Sequence, residues 1–120
     1  MTEGYKYISD FRLSNSGKFN NTVENLSVDF LKQLFANDPN KINQNESRTG
    51  WTFLHKTVMN NNYPSTEYLL KLKANPNIQN FYGETPLYQA VDLGNNAIIN
   101  LLLENNADPN IQQKVYILTN

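Results

Sequence analysis

The stretch that decides the fold is GETPLYQAVDLG, residues 83–94. Thr85 is suited to cap a helix with its hydroxyl oxygen, and Pro86 stands at the first helical position, where a missing N–H leaves no hydrogen bond unmade. Gly94 is suited to the left-handed conformation that ends many helices. Three apolar residues with helical spacing share one face: Leu87, Ala90 and Val91. The stretch therefore predicts a short helix that buries one side.

A second helix is predicted directly after the first, in AIINLLLENN at residues 97–106. Asn95 and Asn96 open this helix, and NADPN at 106–110 ends it and begins an extended turn. The side expected to be buried carries four residues: Ile98, Ile99, Leu102 and Leu103. Because two short helices cannot cover their own apolar faces, such a pair must stack on copies of itself.

The sequence contains a copy of this pattern at a constant offset of 33 residues. The matching pairs are Gly50 with Gly83, Thr52 with Thr85, Leu54 with Leu87, Val58 with Val91, Leu69–Leu70 with Leu102–Leu103, and ANPNIQ at 74–79 with ADPNIQ at 107–112. One register that holds over a whole repeat is a strong signal. It predicts repeats at 50–82 and 83–115 within a single folded domain.

GETPLYQAVDLGNNAIINLLLENNADPN resembles an ankyrin repeat, whose hallmark is T-P-L-H within a period of about 33 residues. The resemblance implies an all-α fold, an ankyrin-repeat stack of helix-turn-helix units joined by hairpin-like loops. Residues 50–82 resemble a less regular copy, in which Phe53 replaces the proline, Thr57 an alanine and Asn61 the turn glycine. Asparagine tolerates the left-handed conformation, so the last change keeps the geometry. Pro64 and Ser65 stand where the second helix of this copy should begin, and they predict a late or distorted start.

The N-terminal part of the chain is less regular. SVDFLKQLFANDPN, residues 27–40, resembles the second helix of an earlier unit, but no T-P-L-H element precedes it. Its expected buried residues are Phe30, Leu31, Leu34 and Phe35. We therefore expect residues 1–49 to form a divergent N-terminal cap with a partial repeat, and 116–120 to be a C-terminal tail. Two interpretations of that end stay open: residues 115–118 fold back as a cap, or the chain belongs to a longer array.

Composition excludes several classes of site. The sequence has no cysteine, which excludes thiol catalysis and zinc–thiolate sites, and a single histidine, which excludes a multi-histidine metal site. Ten basic and eleven acidic residues give a net charge of -1, which offers no basic footprint for nucleic acid. We expect no cofactor, no metal and no small-molecule substrate. The longest wholly apolar run is Leu101–Leu103, so we expect no membrane insertion and a cytoplasmic protein, or a host-cytoplasmic one for a secreted effector or viral protein.

His55 is the residue that a search for an active site selects first. It occupies the histidine position of T-P-L-H, where the resemblance implies a hydrogen bond to the backbone of the neighbouring hairpin. Tyr88 stands at the same place in the next unit and is no general base at neutral pH. Glu84 and Asp92, eight residues apart, are expected to be solvated charges rather than an acid–base pair. We therefore expect a protein that is not an enzyme, with catalysis by His55 as the alternative.

Three aromatic residues lie beside the repeat glycines Gly50 and Gly83: Trp51, Phe81 and Tyr82. Interface hot spots favour aromatic residues and arginine, and truncating one of them costs about 2 kcal/mol or more. Exposed aromatic clusters are also unusual in a protein without a partner. The alternative for any single ring is that it packs against the adjacent hairpin.

The resemblance also implies where a partner would bind, on a concave surface made by hairpin tips and the exposed face of the first helix of each unit. The variable positions carry over to Arg48, Thr49, Trp51, Met59 and Asn60 in one unit, and to Phe81, Tyr82, Glu84, Asp92 and Leu93 in the next. Asn77 and Asn110 match a hairpin asparagine that bridges neighbouring loops in this family, so a structural role is expected for both.

These features predict a protein-protein interaction module that binds another protein without chemistry and is a monomer on its own. One version is an adaptor. The other is a dedicated inhibitor, such as an immunity protein that blocks the active site of a toxin or enzyme. Acidic residues clustered on the surface would favour inhibition of a nuclease; only Glu84 and Asp92 stand there, against Arg48, which favours the adaptor.

Overall fold

The computed structural model describes residues 26–113, which contain five α-helices, one 3₁₀ helix and no β-strand. The helices are α1 (Val28–Asn37), α2 (Phe53–Met59), α3 (Tyr63–Lys71), α4 (Pro86–Leu93) and α5 (Asn96–Glu104), and the 3₁₀ helix spans Pro39–Asn43. Helices α4 and α5 begin 33 residues after α2 and α3. The expected all-α architecture of stacked helix pairs is confirmed.

The bounds of the N-terminal cap (1–49), the two repeats and the tail (116–120) stay predictions. Residues 1–25 and 114–120 lie outside the described residues, and with them most of the predicted cap and all of the tail.

Each helix of the two pairs begins with a side-chain cap. Thr52 and Thr85 cap α2 and α4 with their hydroxyl oxygens, and Asn62 and Asn95 cap α3 and α5 with their amide oxygens. Each cap accepts a hydrogen bond from a backbone N–H that has no partner inside the helix, and replacing such a cap with alanine costs about 1 kcal/mol. The helix starts predicted at Thr85 and Asn95 are confirmed.

The expected late start of α3 is wrong. The helix begins at Tyr63, in register with Asn96 of α5, and Pro64 lies in its first turn. Because the first N–H groups of a helix have no intrahelical partner, a proline at this point loses no hydrogen bond. Asn62 completes the start by accepting a hydrogen bond from the N–H of Ser65 at 3.1 Å.

A left-handed residue ends the first helix of each pair. Gly94 has a φ of 74° after α4, and Asn61 has a φ of 55° shortly after α2. Glycine adopts this conformation without steric cost, and asparagine is one of the few other residues that tolerate it. Asn61 therefore keeps the turn, as the sequence predicted.

The helix pairs stack in sequence order, with α1 on α3, α2 on α4 and α3 on α5. Their inward side chains form one core. Its largest fully buried aliphatic side chains are Leu26, Leu31, Leu54, Val58, Leu69, Ile98 and Leu102. Burying an aliphatic side chain of this size contributes about 1.5–3 kcal/mol, so these contacts hold the short helices together.

Two predicted core residues of the last pair are exposed. Val91 is 57% exposed and Leu103 is 42% exposed, whereas the equivalent Val58 and Leu70 are 0% and 3% exposed. Helices α4 and α5 cover the first pair, but no described helix covers α4 and α5 in turn. On α5 Leu101 is buried, although the sequence analysis had expected Leu103 to be buried instead.

The buried side of α1 is also narrower than predicted. Leu31 and Phe35 are buried as expected, while Phe30 is 41% exposed and Leu34 is half-buried. Helix α1 meets the stack mainly through α3, so only one narrow stripe of its surface is covered.

Asparagine side chains join the loops of successive units. The amide oxygen of Asn77 accepts a hydrogen bond from the N–H of Asp108 at 2.8 Å, and its amide nitrogen donates to the carbonyl of Asn106 at 3.3 Å. One unit earlier, the amide oxygen of Asn43 accepts from the N–H of Asn75 at 2.8 Å. The structural role expected for Asn77 is confirmed, and that of Asn110 stays a prediction.

The contrast between Leu70 and Leu103 gives a test of the stacking. We expect Leu70→Ala to lower the free energy of unfolding by about 2–5 kcal/mol, because it leaves a cavity between stacked helices. Leu103→Ala changes the same residue type at the same repeat position but removes an exposed side chain, so we expect a loss of less than about 1 kcal/mol. Urea unfolding of both variants measures the difference, and equal losses would contradict the order of packing described here.

Candidate protein-binding surface

Two loops form one edge of the stack, at residues 46–51 before α2 and 80–84 before α4; we call them the tip loops. Each is closed by a backbone hydrogen bond, from Glu46 N–H to Trp51 O and from Asn80 N–H to Glu84 O, both at 2.9 Å. A third bond, from Phe81 N–H to Thr49 O at 2.9 Å, joins the loops to each other. Their relative position is therefore set by backbone contacts.

Phe81 is the most exposed large apolar side chain among the described residues, at 58%. Its ring lies over Gly50, where a Cβ atom would come within 2.6 Å of Phe81 Cδ1 and 2.8 Å of its backbone nitrogen. Gly50 also has a φ of +76°, which side chains rarely adopt. The exposed ring thus depends on a glycine in the neighbouring loop for its position.

The exposed aromatic anchor predicted at Trp51 is wrong, because this side chain is only 7% exposed. Its indole stacks beside the imidazole of His55, with ring centroids 6.4 Å apart and planes 25° apart. Its backbone N–H donates to the hydroxyl of Thr49 at 3.2 Å. Thr49, also predicted as a contact residue, is 4% exposed. Both side chains are therefore buried members of the first tip loop.

Asn80 organises the second tip loop from inside. Its amide oxygen accepts hydrogen bonds from the N–H groups of Tyr82 at 2.8 Å and Glu84 at 2.9 Å, and its amide nitrogen donates to the Glu84 carboxylate at 2.9 Å. The Glu84 carboxylate therefore has a hydrogen-bond partner and the residue is half-buried, whereas the sequence analysis expected a solvated charge. Partial burial, and then the nearby Glu84 charge, raise the pKa of the Tyr82 hydroxyl.

The other predicted contact residues fall into two places. Arg48 is exposed in the first tip loop and precedes Thr49, whose backbone oxygen accepts the hydrogen bond from Phe81 N–H. Asp92 and Leu93 are exposed at the end of α4, and Met59 and Asn60 are half-buried at the end of α2, which packs beside it. Because an eight-residue helix is about 12 Å long, the tip loops lie at one end of these helices and the helix-end residues at the other.

A cleft that the sequence analysis did not select opens beside the first tip loop. It encloses about 370 Å³ and includes Trp51, Phe53 and Lys56 in its lining. The Lys56 ammonium lies 3.0 Å from the Glu46 carboxylate and 5.3 Å from the centre of the Phe53 ring. The residue in the sequence that could have indicated this cleft is Phe53, a large ring at the position where the motif has proline.

His55 joins the two repeats. Its Nδ1 accepts a hydrogen bond from the N–H of Thr52 at 3.0 Å, and its Nε2–H donates to the backbone oxygen of Glu84 at 2.9 Å. The side chain is 0% exposed, and burial lowers its pKa from 6.5 to about 4, although the bond to Glu84 opposes part of this shift. Both nitrogens are occupied by the backbone, so the structural role expected for His55 is confirmed.

Within residues 26–113, no three side chains of the metal-binding types come together in a way that could hold an ion. No helix in that same part of the chain has the length and apolar character needed to cross a membrane.

The repeat period, the capped helix pairs and the histidine bond between units agree with the comparison to known families. The family described as ankyrin repeats, in three copies, matches residues 19–113. The chain belongs to the ankyrin-repeat family. Ankyrin repeats are in general non-catalytic modules that bind other proteins.

Several curated proteins are similar to this chain. Two putative ankyrin repeat proteins of fowlpox virus (strain NVSL), FPV031 and FPV014, are 41% and 39% identical over 83 residues, which is 68% of this chain. The E3 ubiquitin-protein ligase KEG of Arabidopsis thaliana is 37% identical over 67 residues, 56% of this chain. The matched region covers 24%, 18% and 4% of the length of these three relatives, respectively.

The ankyrin histidine makes stability depend on pH in a predictable direction. Because the folded state holds His55 neutral with its pKa depressed, its contribution is complete above pH 6.5 and is lost as the pH falls from 6.5 toward about 4. We expect the free energy of unfolding to drop by about 1 kcal/mol between about pH 7 and pH 5.5, above the range in which most carboxylates titrate. Chemical unfolding at several pH values measures this slope.

His55→Asn is the control for that slope, since the sequence has no other histidine. We expect the variant to be less stable at neutral pH, because the bond to Glu84 is lost, and to have no slope above about pH 5.5. Parallel pH profiles for the two proteins would show that His55 is not the titrating group.

Gly50→Ala tests the support of Phe81. The added methyl meets both a positive φ and the Phe81 ring and backbone, so we expect a loss of stability of about 2–4 kcal/mol. Gly94→Ala is the matched control: its φ of +74° is close to the +76° of Gly50, but a Cβ there meets nothing within 4 Å. We expect that variant to lose only about 1 kcal/mol. Equal losses in thermal unfolding would mean that the contact between Gly50 and Phe81 does not matter.

Proposed function

We propose that this protein is a non-catalytic interaction module that binds another protein through the tip loops, with Phe81 as its central anchor. The observation that carries the proposal is the exposed Phe81 ring, which a backbone hydrogen bond to Thr49 and contact with Gly50 hold in place. More than half of the Phe81 side chain is in contact with solvent. A partner that covers it gains the free energy of burying that surface.

The positions of the neighbouring residues support a rigid binding surface. The N–H groups of Tyr82 and Glu84 both donate hydrogen bonds to Asn80. The second tip loop therefore loses little conformational entropy when a partner binds. Binding to a preformed surface avoids much of the entropy cost of ordering loops. We propose that Arg48, in the first tip loop, and the helix-end residues Met59, Asn60, Asp92 and Leu93 extend the same contact surface.

The proposed role is that of an adaptor rather than an inhibitor of a nuclease. Of the two acidic residues on the predicted surface, Glu84 already accepts a hydrogen bond from Asn80, and Asp92 is the one exposed acid. That leaves little negative charge to imitate a nucleic acid backbone. The inhibitor remains the alternative, and the cytoplasm predicted from the sequence remains part of the proposal.

Phe81→Ala tests this function. Affinity purification with the wild-type chain and the variant, compared by quantitative mass spectrometry, identifies the proteins whose recovery depends on the ring. For such a protein we expect the variant to bind about 30-fold more weakly, which corresponds to about 2 kcal/mol for the loss of an aromatic anchor. Titration calorimetry with the purified partner measures the dissociation constant.

Phe30→Ala is the matched control for that experiment, since Phe30 is 41% exposed on α1 and belongs to neither tip loop. It should bind every partner as the wild type does. Trp51→Ala provides a second comparison: because Trp51 is buried beside His55, its loss should first lower the unfolding temperature. If Phe81→Ala recovers the same proteins with the same affinities as the wild type, the proposed anchor is wrong.

A further inference from the structure

Positive and negative charges are divided unevenly along the described chain. Residues 26–73 carry six basic and four acidic side chains, a net charge of +2. Residues 74–113 carry four acidic side chains and no lysine, arginine or histidine, a net charge of -4, and we call them the acidic segment. The whole chain has ten lysine and arginine residues in 120, so forty consecutive residues would carry about three on average. Such an asymmetry points to a partner of opposite charge.

The acidic segment contains the loop that carries Phe81 and both helices of the second pair, α4 and α5. Its acidic residues are Glu84, Asp92, Glu104 and Asp108. Glu84 lies in the second tip loop, and the other three are exposed, at the end of α4, at the end of α5 and in the loop that follows. Among the described residues, none of the four carboxylates forms an ion pair, whereas Glu46 in the first half pairs with Lys56 at 3.0 Å. The negative charge of the segment is therefore not neutralised by contacts within residues 26–113.

The negative charge reaches the proposed binding site. The Glu84 carboxylate accepts a hydrogen bond from the neutral amide of Asn80, which fixes its position and leaves its charge in place. After burial, this charge is the second cause that raises the pKa of the Tyr82 hydroxyl, the residue next to Phe81. A charge that disfavours an anion at Tyr82 favours a cation at the same place.

The four carboxylates are close enough to act together on an approaching protein. Helices α4 and α5 have eight and nine residues, so each is about 12–14 Å long. The distance over which salt screens a charge is about 30 Å in 0.01 M salt and about 8 Å in 0.15 M salt. At low salt the segment therefore presents one negative field, which weakens as salt is added.

We propose that the partner bound at Phe81 presents a basic surface to the acidic segment. This inference rests on the function proposed above and adds the chemistry of the partner and its direction along the stack. The lysine- and arginine-rich side of the partner faces α4 and α5, and its other side faces residues 26–73. Because Glu104 and Asp108 lie outside the predicted contact residues, the field acts mainly on the rate of association rather than through a row of direct ion pairs.

Association kinetics with a purified protein whose binding depends on Phe81 test the proposal. The variant Asp92→Asn/Glu104→Gln/Asp108→Asn removes three exposed charges with little change of shape. The amide oxygen introduced by Asp108→Asn can still accept the hydrogen bond from the N–H of Asn110. We expect the association rate constant to fall about tenfold in 0.01 M salt and the dissociation rate constant to change little. In 0.5 M salt the two proteins should associate at similar rates, because salt screens the field.

The matched control removes three exposed charges of the opposite sign from the other half of the chain, in the variant Lys32→Gln/Lys71→Gln/Lys73→Gln. It should not lower the association rate constant, since these lysines repel a basic partner. An equal fall for both variants would mean that the sign and place of the charges do not matter. A wild-type rate for the acidic variant in 0.01 M salt would also overturn the proposal.

A probe of known charge separates this proposal from the function on which it rests. Octalysine, added to the full chain in 0.01 M salt, should shift the amide NMR signals of residues 74–113 more than those of residues 26–73. Octaglutamate should show no preference for the acidic segment, and Asp92→Asn/Glu104→Gln/Asp108→Asn should remove most of the octalysine shifts. Octalysine shifts spread evenly over both halves would overturn the proposed direction.

The failure of the proposed anchor has a different signature. If Phe81→Ala alters no interaction while octalysine still selects the acidic segment, the anchor is wrong and the field is confirmed. If Phe81→Ala weakens binding while the acidic variant associates as fast as the wild type in 0.01 M salt, the anchor is confirmed and the basic partner is wrong.

Discussion

The hydrogen bond from His55 Nε2 to the backbone oxygen of Glu84 is the contact on which the arrangement of the repeats depends. It is donated by a neutral, fully buried imidazole that the N–H of Thr52 holds in one orientation. The bond connects helix α2 to the loop that carries Phe81. The backbone N–H of Phe81 in that loop also donates a hydrogen bond to the backbone oxygen of Thr49. Helix α2 and the two tip loops are therefore fixed relative to one another. A binding surface built on them is therefore formed before any partner arrives.

This arrangement separates the repeat motif from the function proposed for it. The motif residues occupy caps, turns and the histidine bond, where their hydrogen-bonding groups are already used inside the protein. Residues just outside the motif differ in what lies beneath them. Trp51 packs on His55 and is buried, whereas Phe81 lies over Gly50 and is exposed. An exposed ring on a rigid support is available for a partner, while a buried one contributes to stability.

The same residue type at the same repeat position differs in burial between the two repeats. Val58 and Val91 occupy the same position of the repeat, yet one is fully buried and the other is more than half exposed. The difference arises because burial is supplied by the next helix pair rather than by the residue itself.

The sequence by itself determined the period, the helix starts at Thr85 and Asn95, and the left-handed turn at Asn61. These features depend on local hydrogen bonds and on backbone conformations, which a few neighbouring residues set. It also indicated the role of His55, because the resemblance to ankyrin repeats implied a hydrogen bond from this histidine to the backbone of the neighbouring hairpin. Only the tertiary structure decided which apolar residues are exposed, as at Trp51, where an anchor was expected on the surface. Exposure depends on which atoms cover a side chain, and in a stack of repeats those atoms belong to residues some thirty positions away.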